Sequence, residues 1–79
     1  MPEKAKQGAA AFRSLVQYIV DKMNIKFGKV AMKVAKHYNE KAKQQYPGKD
    51  AVENAKHAKK IFDETSADER RRVLESAQQ

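Results

Sequence analysis

Lysines at three-, four- and seven-residue steps are the side chains whose type and spacing indicate chemistry in this chain. Residues 26–49 hold seven Lys and one acid, Glu40, whereas residues 1–25 have a net charge of +2 and residues 50–79 one of −1. Lys neutralises phosphate as a point charge and reads no base sequence. Such a stripe attracts nucleic acid, acidic lipid or an acidic protein surface, or serves solubility alone. The predicted nucleic-acid contacts are Lys29, Lys33, Lys36, Lys43, Lys56, Lys59 and Lys60.

Residues suited to catalysis are scarce. The chain has no Gly-rich phosphate loop and no nucleophile elbow. It also has no Cys, and this absence excludes disulfides and thiolate zinc sites. His37 and Glu40, three residues apart, are metal-ligand types, but a single His on a Lys-rich surface is more often solvated. The acids cluster at predicted helix starts, where capping explains them. We therefore predict that the protein is not an enzyme and has no cofactor, metal or small-molecule substrate.

Four helices are predicted to position these side chains, because apolar residues recur at three- and four-residue steps. Pro47-Gly48 separates the two Lys clusters, since the residue before Pro is pushed out of helical backbone. Residues 1–7 are polar and are predicted to form a disordered arm before a single domain at 8–79. The predicted fold class is all-α, a compact bundle of three to four short helices. The predicted helices span about 9–23, 29–46, 51–64 and 67–77.

Polar residues at the predicted helix ends support these ranges. Asp50 and Ser66 each precede a Glu by three residues, a spacing typical of N-terminal caps. Asn24 is expected to end the first helix. Arg70, Arg71 and Arg72 point in three directions around the fourth helix, so they cannot form one flat patch. At least one is expected to pair with Asp68, Glu69 or Glu75, and the run has either a structural role or a phosphate-binding one.

The first predicted helix has the strongest amphipathic pattern in the chain. Its apolar face either completes the core or docks against another chain. The residues of this candidate partner interface are Phe12, Leu15, Val16, Ile19 and Met23. The side chains predicted to face inward on the other helices are Ala31, Val34, Tyr38, Ala42, Val52, Ala55, Ala58, Ile61, Phe62, Val73, Leu74 and Ala77.

The segment from about Ala31 to Ala77 resembles an HMG box, including its YABBY-like variants. A basic helix ends at Tyr46-Pro47, the next ends in the large aromatic Phe62, and Ser66-Ala67-Asp68-Glu69-Arg70 matches the Ser-x-x-Glu-Lys/Arg opening of the family's third helix. The resemblance implies an L-shaped three-helix domain that binds and bends DNA in the minor groove. It places an apolar wedge at Met32.

The chain departs from that family at three points. Phe62 stands where the family has Trp, and Ile25-Lys26-Phe27-Gly28 replaces a Pro-rich extended strand. The first predicted helix has no counterpart in the box, and the fourth is short for the family's third helix. The expectation of minor-groove binding therefore depends on the spacing of the motifs that do match, Tyr46-Pro47 and Ser66-Ala67-Asp68-Glu69-Arg70.

Two functions are predicted. The first is a small basic protein that binds nucleic acid by charge and shape, with little sequence specificity. The alternative is a structural or adaptor subunit of a larger assembly, such as a virus particle, that docks through its first helix and contacts acidic protein surface or neighbouring subunits. No segment reaches the roughly 18–20 apolar residues of a membrane span. We expect an intracellular protein, in nucleus, cytoplasm or nucleoid, or one packaged in a virion.

Overall fold

Four helices make up the fold. The computed structural model describes the backbone of residues 3–79 and the side chains of residues 7–79, and it contains no strand within those limits. The all-α prediction is confirmed, and the bounds of the last three predicted helices agree with the structure to within one residue. The helices are α1 (Glu3–Met23), α2 (Lys29–Gln45), α3 (Ala51–Glu64) and α4 (Ala67–Ala77).

The start of α1 differs from the prediction. The helix begins at Glu3, six residues before the predicted start at Ala9. The predicted disordered arm is therefore wrong from Glu3 to Gln7, while Met1 and Pro2 lie outside the described residues. The physical reason is that Glu, Lys, Ala and Gln are strong helix formers, so a polar composition alone does not indicate disorder.

The end of α1 is a Schellman turn at the predicted stop, Asn24. Asn24 has a φ of 56°, in the left-handed region that Asn tolerates better than most residues. The Ile25 N–H donates to the Val20 carbonyl at 3.2 Å, and both side chains pack, half-buried, against the core. The turn therefore ends the helix and directs the chain back along the bundle.

The caps of α3 and α4 are those predicted from the sequence. The Asp50 carboxylate accepts a hydrogen bond from the Glu53 N–H at 2.9 Å, and the Ser66 hydroxyl accepts one from the Glu69 N–H at 3.2 Å. Gly48, with a φ of 82°, makes the turn between α2 and α3 that Pro47-Gly48 predicted.

The core lies between α1, α2 and α3, and α4 packs on α2. Tyr38 of α2 and Phe62 of α3 are fully buried at its centre, with their rings edge-on and 5.2 Å apart. The predicted inward residues of α2 are all buried. Ala77 of α4 is also buried, whereas Val73 and Leu74 are half-buried against the core.

The prediction that Val52 of α3 lies in the core is wrong. Val52 is 37% exposed, whereas Asn54 is only 3% exposed and faces α2. Its side-chain amide donates to the Asn39 carbonyl at 3.0 Å and to the Asn39 Oδ1 at 2.6 Å. A polar residue can be buried here because its N–H groups find acceptors on the neighbouring helix.

Candidate nucleic-acid interface

The lysines of α2 lie on the side of the helix away from the core. Helical geometry places them opposite the buried residues of α2, and all four are exposed. Glu40 belongs to the same series of three- and four-residue steps, and it forms an ion pair with Lys43 at 3.6 Å. We call this face the α2 stripe, and it consists of Lys29, Lys33, Lys36 and Lys43.

A groove of about 700 Å³ runs between α2 and α4, next to the α2 stripe. Its floor is partly apolar, and its walls carry four cations and two acids. Two stripe residues, Lys33 and Lys36, are shared with it, so the groove continues the basic surface. The side chains that line this α2–α4 groove are Lys33, Lys36, His37, Glu40, Lys41, Gln44, Glu69, Arg72, Val73, Ser76 and Ala77.

Each acid of the groove is engaged by a neighbouring cation. The Arg72 guanidinium lies 3.1 Å from the Glu69 carboxylate, as predicted for the arginine run, and Glu40 pairs with Lys43. Both pairs are exposed and contribute little to stability. Lys36 and Lys41 form no ion pair among the side chains of residues 7–79. The groove thus has an excess of positive charge available to an anion.

His37 is the titratable residue of this groove near neutral pH. Burial, followed by repulsion from Lys41, lowers the pKa of its imidazole, and Glu69 opposes the shift. Its ring meets Tyr38 edge-on at 5.1 Å. His37 and Glu40 line the same groove, but no three His, Asp or Glu side chains gather as a metal site in the part of the chain with described side chains.

The lysines of α3 do not join the groove, which is formed by α2 and α4 side chains. Lys59 turns towards α1, where its ammonium donates to the Ser14 hydroxyl at 2.8 Å and lies 5.6 Å from the centre of the Tyr18 ring. Lys56 pairs with Glu53 at 3.6 Å, and Lys60 is exposed. The two lysine clusters therefore do not line one groove of the protein, because α4, and not α3, forms the second wall of the α2–α4 groove.

The predicted partner interface on α1 is covered by the chain itself. Leu15, Val16 and Ile19 are buried against α2 and α3, and Phe12 and Met23 are half-buried against the same core. Leu15, Val16 and Ile19 are thus covered by other helices of the same chain, while Phe12 and Met23 keep part of their surface exposed. The face completes the core, which was the other predicted outcome.

Sequence reasoning missed Lys41 as a groove residue and Phe27 as an exposed one. Lys41 lies outside the regular spacing of the stripe, and it reaches the groove only because α4 packs beside it. Phe27 and Met32 are 48% and 45% exposed, the largest such values among the large apolar side chains described. For Phe27 the available signal was its position in a short loop between two lysines.

Comparison with protein-family models, with curated proteins and with solved structures finds no match to the chain. The HMG-box resemblance is neither supported nor contradicted by these comparisons. No helix in the described part of the chain has both the length and the apolar character needed to cross a membrane.

Proposed function

We propose that this protein is a small non-catalytic nucleic-acid-binding protein that holds phosphates along the α2 stripe and in the α2–α4 groove. The observation that carries the proposal is a row of four exposed lysines on one helix face, which continues into a groove with Lys41 and Arg72. Lys at these positions supplies affinity by charge, with little discrimination among base sequences.

The length of the stripe sets how many phosphates it can reach. From Lys29 to Lys43 the helix rises about 21 Å at about 1.5 Å per residue. A duplex carries roughly one negative charge per 1.7 Å of its axis, so several phosphates lie within that span. Contacts to about four phosphates give a salt slope, log K against log salt, of roughly −3 to −4.

The closed core favours this function over docking through α1. Most of the apolar face of α1 is buried in the core, whereas the four lysines of the α2 stripe are exposed and accessible to a partner. An acidic protein surface would meet the same lysines, and it remains the alternative partner. The proposal extends to an HMG-box-like mode, in which the exposed Met32 at the start of α2 would act as the apolar wedge.

The first test is fluorescence anisotropy with a labelled duplex of about 20 base pairs over a series of salt concentrations. We expect binding at low salt that weakens steeply as salt rises. The variant K29Q/K33Q/K36Q removes three stripe charges, and we expect its salt slope to be shallower by about 2 to 3. The absence of binding by the unmodified protein at low salt would contradict the proposal.

The matched control is R13Q/K22Q/R71Q, which removes the same charge from exposed positions outside the groove. If the control loses as much affinity as the stripe variant, net charge and not the α2 stripe determines binding. A second variant, K56Q/K59Q/K60Q, tests the α3 cluster. We expect a smaller loss from it, because Lys56 and Lys59 already contact Glu53 and Ser14.

A further inference from the structure

We propose that Phe27 is a base-stacking residue, and that the protein therefore prefers single-stranded nucleic acid, or unpaired bases, to a perfect duplex. The inference rests on the proposed function and adds the class of nucleic acid to it. It arises from the loop between α1 and α2, which holds an exposed aromatic ring inside the most basic segment of the chain.

The loop between α1 and α2 leaves the phenyl ring of Phe27 on the surface. Ile25, next to the Schellman turn, packs half-buried against the core, and the extended backbone of Gly28 then leads into α2. Phe27 lies between them and is left 48% exposed. An apolar ring of this size is normally buried, so its exposure carries a free-energy cost that a ligand can recover.

Charge around the ring indicates which ligand would cover it. Lys26 and Lys29 flank Phe27 in sequence and are both exposed, so a partner that covers the ring must also tolerate two cations. Single exposed apolar residues are ordinary on protein surfaces, and Val52 is an example beside Asp50 and Glu53. Phe27 differs from Val52 because it combines an aromatic face with flanking positive charge.

An aromatic ring flanked by cations suits a negatively charged polymer with exposed aromatic groups, such as a single-stranded nucleic acid. Single strands bind by lysine contacts to phosphate together with stacking of bases on aromatic side chains. In a duplex the faces of the bases are already stacked on one another, so the ring gains a partner only where bases are unpaired.

The absence of Trp from the chain makes the test direct. The Phe27→Trp variant carries a single indole, whose fluorescence is expected to be quenched when a strand of about 20 nucleotides binds and to change little with the matching duplex. The control Val52→Trp places the indole at another exposed apolar position, beside the acidic Asp50 and Glu53. We expect little quenching there.

Affinity provides the second measurement. Phe27→Ala is expected to weaken single-strand binding about tenfold and duplex binding less than about twofold, while Phe27→Tyr keeps most of the affinity. The ring is exposed, so these variants should fold, and circular dichroism checks that they do. The variant K29Q/K33Q/K36Q should weaken binding to both nucleic acids.

Each other outcome overturns the inference. If the lysine variant weakens binding and Phe27→Ala does not, the protein binds nucleic acid without stacking at Phe27, and the proposed function stands alone. If neither nucleic acid binds, both proposals fail. If the indole at position 27 responds only to vesicles of phosphatidylserine and phosphatidylcholine, the loop contacts lipid and not bases.

Discussion

The side chain of Arg70 on α4 forms hydrogen bonds to the C-terminal end of α3. Its Nε donates to the Phe62 carbonyl at 2.9 Å and its Nη2 to the Asp63 carbonyl at 3.0 Å. The guanidinium also lies 4.3 Å from the centre of the Phe62 ring. Carbonyls at the end of a helix lack partners within the helix. The Arg70 side chain donates to two of them and packs on the core as well, and the Phe62 carbonyl also accepts from the Thr65 N–H at 3.2 Å.

We expect Arg70→Ala to lower the free energy of unfolding by about 1–2 kcal/mol. The Asp63 carbonyl loses the Arg70 donor, the Phe62 carbonyl keeps only the Thr65 N–H, and the contact of the guanidinium with the Phe62 ring is lost. Arg70→Lys should recover only part of the loss, since Lys lacks the planar fork. Denaturant unfolding of both variants measures this. The exposed Arg71 is the control, and Arg71→Ala should stay within about 0.5 kcal/mol of the unmodified protein. Equal losses at the two positions would contradict the role assigned to Arg70.

His37 makes stability depend on pH. The pKa of its imidazole in the folded protein lies below the ordinary value of 6.5, so folding favours the neutral form. The corresponding stability is fully present above about pH 6.5 and decreases as the pH falls towards the folded pKa, because the unfolded chain takes up the proton first. Denaturant unfolding at about pH 7.5 and about pH 5.5 should show a smaller pH-dependent loss in His37→Gln than in the unmodified protein. An identical pH dependence in both would exclude this contribution.

Predictions for single residues succeeded where local spacing decides the outcome and failed where a distant partner does. Ser66 and Asp50 cap helices because the N–H that each accepts lies three residues away in sequence. The burial of Asn54 depends on Asn39, fifteen residues away on another helix. Hydrophobicity alone therefore placed Val52 in the core instead.

At the scale of elements, α2, α3 and α4 were predictable because Pro47-Gly48 and two caps mark their ends. The start of α1 has no such mark. A polar helical turn and a polar disordered arm can have the same composition, and Gly8, between that turn and the amphipathic segment, lies inside the helix and does not mark its start. The prediction consequently began the helix at its first apolar residues, beyond Gly8.

The length of α1 can be tested at Gly8. The Cβ of an Ala at this position would lie 3.6 Å from the Ala51 Cβ, an ordinary contact. Because Gly inside a helix costs about 0.5–1 kcal/mol relative to Ala, Gly8→Ala should raise the free energy of unfolding by about that amount. Thermal or denaturant unfolding measures it, and an unchanged stability would mean that α1 is frayed at Gly8.

The same substitution at Gly28 provides a contrasting control. Gly28 precedes α2 with extended backbone, and no heavy atom lies within 4 Å of the place that a Cβ would occupy, so Ala fits without strain. Ala is nevertheless a poorer N-cap than Gly. Gly28→Ala should therefore lower the free energy of unfolding, the opposite sign to Gly8→Ala.

At the scale of the whole molecule, the burial of the apolar face of α1 inside the chain leads to the prediction that the protein folds without a partner. We expect a monomer of 9.0 kDa with one cooperative thermal transition, since three helices share one closed core. Sedimentation equilibrium gives the mass, and calorimetry at several protein concentrations gives the transition. A midpoint that rises with concentration would instead indicate that association completes the fold.

The α2–α4 groove was the least predictable part of the molecule. Lys33 and Lys36 were identified from their spacing, but nothing in the pattern of α4 indicates which helix its short apolar face covers. Its packing on α2 determines that Lys41 and Arg72 line the same groove, while Lys59 is directed to α1. The position of α4 depends on a few half-buried contacts, such as those of Val73. The spacing of apolar residues within a helix does not predict which other helix such contacts will be made with.

The buried Asn39–Asn54 contact affects the register in which α2 and α3 pack against each other. The buried residues of the two helices include Ala35, Ala42 and Ala58, and small side chains fix the register of two packed helices less strictly than large interdigitating ones. Sliding by one turn would leave the Asn54 amide in an apolar contact without acceptors, a penalty of about 1–3 kcal/mol. The pair thus selects one pairing of the two helices from several that alanine packing alone would permit.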